Sequence, residues 1–81
     1  MTQWIKRVAG ILIPPPINQH CVILILDRDG QSLVPLNAIF EQSLNTGKHF
    51  VLINDGIGEV IKFEQVIAYF TYDYTGIMET L

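Results

Sequence analysis

Eighteen of the 81 residues are isoleucine or valine, and only three are alanine. Side chains branched at Cβ crowd the preceding turn of a helix and pack well on a pleated surface, so this balance directs the chain towards strands. The composition is 49% apolar and 16% charged, with a net charge of −3 and a mean hydropathy of +0.34. A chain of this length has room for one hydrophobic core, which predicts a single domain over residues 1–81. Small domains leave much of their surface exposed even when folded, so an apolar excess of this size predicts that some apolar surface meets a partner.

The same figures exclude several classes. Intrinsic disorder requires low hydrophobicity and high net charge. Nucleic-acid binding draws most of its affinity from Lys and Arg that release counterions from phosphates, and a pI near 5.0 disfavours it. A membrane span needs roughly 20 consecutive apolar residues; the longest run here is Cys21-Val22-Ile23-Leu24-Ile25-Leu26. Lys6 and Arg7 precede the apolar stretch 8–13, but three prolines follow it in place of a small-residue cleavage site, so no signal peptide is expected and the reading is a cytoplasmic protein. The lone Cys21 forms no internal disulfide.

Residues 8–13 read as a short strand ended by Pro14-Pro15-Pro16, and 14–19 as a proline-rich connector. The unbroken run 21–26 has the pattern of a strand covered on both faces, at the centre of a sheet. Asp29-Gly30 supplies a hairpin turn after it, and Pro35 limits the returning strand to an edge or an end. Leu36, Ile39, Phe40 and Leu44 fall on one helical stripe, with Asn37 as N-cap and Gly47 as stop, which predicts a helix from about Ala38 to Thr46. Residues 48–54 read as a strand, Asp55-Gly56-Ile57-Gly58 as a second hairpin turn, and 59–63 as the strand returning from it. A long final strand is expected over 66–74, and residues 76–81 read as a frayed tail. The expected fold is therefore α+β: an antiparallel, β-rich sheet of about five strands, open or rolled into a small barrel, with one helix packed on it.

No constellation supports catalysis, so the chain is read as a non-enzyme with no cofactor or metal. His20-Cys21 pairs a thiol with a base in sequence, but neighbours in a strand face opposite ways. Zinc would need His20, Cys21 and His49 together, without any recognisable ligand spacing. Asp27-Arg28-Asp29-Gly30 opens like a calcium loop, but Ala38 stands where that loop requires glutamate. Gly56 and Gly58 lead into a strand, where a phosphate cradle would open a helix.

The aromatic residues carry the functional reading. Tyr69, Tyr72 and Tyr74 lie among acidic residues, as anchors of a protein interface do, and Phe70 is assigned to the core. Trp4, counted with the expected interface residues, forms with Lys6 and Arg7 a small basic and aromatic patch at the other end, suited to an acidic surface, including that of a second copy. The leading expectation is a non-catalytic interaction module that self-associates as a homodimer or larger species through apolar sheet surface. The alternatives are an acidic inhibitor or regulator docking on a basic surface of a larger protein, by analogy of size and charge with such proteins of phages and mobile elements, and a small β-barrel that binds single-stranded nucleic acid.

Overall fold

The computed structural model describes residues 3–72. They form one six-stranded sheet, antiparallel throughout: β1 (Ile5–Lys6), β2 (His20–Leu26), β3 (Leu33–Ser43), β4 (Gly47–Leu52), β5 (Val60–Lys62) and β6 (Ala68–Thr71). The order across the sheet is β1-β6-β2-β3-β4-β5, so β2 and β3 occupy the centre. A single 3-10 turn, Phe63–Gln65, joins β5 to β6. Among the described residues no helix is long and apolar enough to cross a membrane.

The expected helix over 38–46 is absent, and the fold is mostly β rather than α+β. Residues 38–43 continue β3, an 11-residue strand paired with β2 on one side and β4 on the other. Leu36, Ala38 and Phe40 turn towards the core, while Ile39 faces the opposite side and is half-buried there. Apolar residues on both faces erase the two-residue period and leave a stripe that imitates a helix. Gly47, at φ +69°, opens β4 after the turn 44–46 instead of capping a helix.

Other boundaries shift for local reasons. Residues 8–13 form no strand: Val8 and Ile11 make one isolated bridge around Ala9 and Gly10, both at positive φ. The final strand begins two residues later than expected, because 66–67 stay outside it, and the strand before it ends at Lys62, because Phe63 opens the 3-10 turn. Pro35 lies inside β3, opposite Leu24. Asn37 accepts from Ile53 N–H on the β4 side, so Pro35, two residues earlier, directs its missing donor to the same flank, which β4 no longer covers.

The core is built from Cys21 and Ile23 of β2, Ala38 and Phe40 of β3, Phe50 and Leu52 of β4 and Ile61 of β5, with Leu12, Phe63, Val66 and Tyr69. Phe50 and Tyr69 have ring centroids 6.5 Å apart, although three strand spacings separate β4 from β6. On a flat sheet that separation is about 14 Å, so the sheet curls around its core. Among the described residues the ladder does not close into a barrel, since β1 and β5 remain its two edges. Arg7 bridges them: its backbone follows β1, and its guanidinium donates to Phe63 O just after β5, at 2.7 Å.

The two Asp-Gly sites lie in the loops joining β2 to β3 and β4 to β5. Asp29 accepts the backbone N–H groups of Ser32 and Gln31 and the Ser32 hydroxyl. Asp55 accepts those of Glu59, Gly58 and Ile57, with Gly56 and Gly58 at positive φ. These donors hold both carboxyls below the ordinary aspartate range. A depressed folded-state pKa stabilises the fold above the unfolded value and loses that contribution as pH falls through the folded one. The melting temperature is therefore expected to be level above about pH 5 and to fall below about pH 4, where free aspartate titrates. Asp55→Ala is expected to melt lower at neutral pH and to show a shallower acid slope; thermal circular dichroism between pH 2.5 and 7 checks both.

Candidate functional site

Cross-strand partners point to the same side of a sheet, so the register defines what stands on the outer, convex face. At the hairpin end, Leu26 pairs with Leu33, and both are about half exposed, at 50% and 53%. In the next row Ala68, Leu24 and Pro35 align across β6, β2 and β3. The third row runs Phe70, Val22, Asn37, and Ile53 continues it through its bond to Asn37 O. The fourth runs His20, Ile39, Val51, Val60, the last 56% exposed. The fifth row, Glu41, His49 and Lys62, is entirely polar, with His49 Nε2 3.1 Å from Glu41 Oε1, whereas Asn37 and His20 are the polar members of the third and fourth rows. Among the described residues no element packs as a second layer over these rows.

The aromatic side chains divide between the two faces. Trp4 meets Phe70 edge-on, with centroids 4.8 Å apart, so both belong to the outer face, and the core role expected for Phe70 is corrected. Tyr69 takes that role instead: it is 1% exposed, opposite Ile23, and its hydroxyl donates to Ile13 O at 2.6 Å. Its burial removes it from the expected interface residues. Tyr72 is half-buried at the end of β6, beside His20, and its hydroxyl lies 3.5 Å from Asn37 Oδ1. Tyr74 and the expected tail, 76–81, lie outside the described residues.

The basic patch expected from Trp4, Lys6 and Arg7 is divided in the same way. Lys6 is exposed opposite Ala68. Arg7 turns inward, donating Nε to Val66 O and Nη1 to Gly10 O, both at 3.0 Å, with its guanidinium over the Phe63 ring. Residues 8–19 then cross the open side of the curl as a strap, held by Asn18 N–H to Phe40 O and by Tyr69 to Ile13. Leu12 and Pro15 are buried beneath it, whereas Val8, Ile11 and Ile13 stand about 70% exposed.

Cys21 has no nucleophilic character. It is fully buried, its thiol donates to Gln19 O at 3.4 Å, and burial pushes its pKa up to about 11, so the thiolate is absent near neutral pH. His20 stands on the other face of the same strand, and among the described residues no three His, Cys, Asp or Glu side chains gather as metal ligands. A shallow hollow of about 490 Å³ opens between the β2–β3 hairpin and β5, with Ile25, Leu36 and Ile61 on its floor and Asp27, Arg28 and Glu59 on its rim.

Sequence reasoning expected an apolar sheet surface but did not identify the residues of the outer rows that form it. The signal was present in the two-sided apolar strands, but which residues become neighbours depends on the register. Comparison with known proteins adds no functional assignment: no protein-family model, curated protein or solved structure matches the chain.

Proposed function

We propose that this chain is a non-catalytic protein-interaction module that self-associates through the outer face of its sheet. The carrying observation is a sheet largely apolar on both sides, with a filled core on one face and, on the other, four rows that range from the buried Ala68 through half-buried Val22, Leu24, Ile39 and Val51 to the half-exposed Leu26, Leu33 and Val60, over which no element packs among the described residues. Removing such rows from water stabilises association at about 25 cal/mol per Å² of apolar surface, less the cost of immobilising two bodies. The face carries no formal charge in its four apolar rows, so the attraction is expected to persist in salt.

Light scattering coupled to size exclusion tests the reading. The expected result is a dimer or larger species that dissociates on dilution but not on raising the salt concentration. Leu24→Glu, which sets a carboxylate in the second row, is expected to weaken association by at least 100-fold while leaving the far-ultraviolet dichroism unchanged. A wild-type monomer at several hundred micromolar would overturn the reading. Association only with a basic partner, lost on adding salt, would favour the acidic-regulator alternative, and co-eluting nucleic acid the third.

A further inference from the structure

From Val8 to Ile17 the strap carries no polar side chain, and Ile13 and Ile17 stand 69% and 57% exposed. From Leu12 onward its burial repeats every third residue: Leu12 and Pro15 are buried, and 13, 14, 16 and 17 are exposed. That is the period of polyproline II, with three residues per turn, and not the two-residue period of a strand. Proline fixes φ near about −65° and holds the residue before it extended, which sets the backbone of 13–16. Ile17 continues the helix, because Gln19 N–H donates to Pro16 O at 3.2 Å with Asn18 at φ +67°. That is the form of a type II turn, whose second residue has polyproline-like angles.

A polyproline II helix is a three-sided prism. Here Leu12 and Pro15 set one ridge into the core, which leaves two ridges outward: Pro14 with Ile17, and Ile13 with Pro16. We infer that the strap is the ligand for an aromatic-lined groove on a partner protein, with Ile13–Pro14 in one slot between the rings and Pro16–Ile17 in the next. The strap crosses the open side of the curl, away from the outer face, and this docking does not depend on self-association.

A groove of that kind takes exactly two ridges of a preformed prism and leaves the third turned away. The strap is already held in that form. Val8 and Ile11 exchange two bonds at 2.9 Å at one end, the type II turn closes the other, and the Tyr69 hydroxyl holds Ile13 O between them, so little freedom is lost on binding. The backbone separates this occupant from a bilayer. Among the described residues the carbonyls of Pro14 and Pro15 accept no hydrogen bond. The indole N–H and phenol O–H groups of an aromatic groove donate to such acceptors while their rings cover the ridges. Hydrocarbon has no donor to give them, and a net charge of −3 earns no attraction from anionic headgroups. Direction comes from the far end. Ile13-Pro14-Pro15-Pro16-Ile17 reads the same both ways, but only its Ile17 end runs into a polar hollow of about 410 Å³, lined by Asn18, Glu41, Gln42 and His49. The half-exposed Glu41 there suits a basic residue flanking the groove.

The test titrates the full chain, by nuclear magnetic resonance, with a panel of purified polyproline-binding domains, the WW domain among them. At least one is expected to bind with a dissociation constant below about 200 μM, to shift the amide signals of Ile13, Ile17 and Asn18, and to be displaced by a proline decamer. Ile13→Asp and the double variant Pro14→Ala, Pro16→Ala are each expected to weaken binding at least about 10-fold, with unchanged circular dichroism showing that they are folded. Glu41→Gln is expected to weaken it about 2- to 5-fold, as loss of an exposed ion pair does. Leu24→Glu, on the outer face, is expected to leave it unchanged. Absence of binding across the panel at about 500 μM, or binding that the strap variants leave intact, would overturn the inference. Co-sedimentation with phosphatidylcholine vesicles in place of panel binding would overturn it in favour of a membrane contact. An unchanged Glu41→Gln would overturn the assigned direction. None of these results bears on self-association.

Discussion

Phe50→Ala is expected to lower the stability of the fold by about 3–5 kcal/mol, the range for truncating a fully buried phenylalanine. Phe50 is wholly buried where the curled sheet meets itself. Its ring lies 5.2 Å from Phe40, 6.2 Å from Phe63 in a stacked arrangement and 6.5 Å from Tyr69. Truncation thus empties a space lined by three rings that belong to different segments and do not collapse together into it. A domain of this size has about 4–12 kcal/mol of stability in total, so the variant is expected to melt roughly 12–40 °C lower or to be unfolded at 37 °C. Leu44→Ala, in the fully exposed turn after β3, is expected to shift stability by less than about 0.5 kcal/mol. Thermal and urea denaturation of the pair decides the matter. A Phe50→Ala variant within 1 kcal/mol of the wild type would mean that the ring is not the point on which the sheet closes.

Much of the strand layout was legible because its signals were local. The six-residue apolar run announced β2, the Asp-Gly pairs located the loops after β2 and β4, and residues 48–54 took in all of β4 but its first residue, Gly47. What misled was the same property that suggests a partner. Ile39 and Phe40 both look buried in sequence, and a helix is the usual way to bury adjacent residues at i and i+3 or i+4 spacing. Here Phe40 is buried by the core, and Ile39 is half-buried among its outer-face neighbours. Tyr69 and Phe70 exchanged roles for a related reason: both are aromatic members of one strand, and only the pairing of Tyr69 with Ile23 decides which points inward. The outer face itself needed the register of five strand pairs, which no single segment encodes.

Arg7→Met is expected to cost about 2–4 kcal/mol, although position 7 lies near the chain terminus and reads in sequence as one cation of a surface patch. The guanidinium donates to three carbonyls, those of Val66, Gly10 and Phe63, at 3.0, 3.0 and 2.7 Å, and its carbon lies 5.4 Å from the centre of the Phe63 ring. Hydrogen bonds from a charged donor contribute about 1.5–3 kcal/mol each when measured singly. Contacts that share one side chain are not additive, and this one is partly exposed, which sets the lower range. Methionine keeps most of the apolar stem and removes every donor. Lysine keeps a charge but, as a point donor, cannot span three carbonyls in different directions. Arg7→Lys is therefore expected to recover less than half of the loss. The effect should also be local, because Arg7 is the contact that joins the β1 side of the ladder to the end of β5. Hydrogen exchange is expected to accelerate first at the Arg7 amide, bonded to Ile67 O, and in the strap, with the β2–β3 ladder protected up to global unfolding. Uniform acceleration across all strands would instead make Arg7 an ordinary contributor to the whole fold. Loss of strap protection alone would make it the clasp of a curled sheet that strand pairing leaves open.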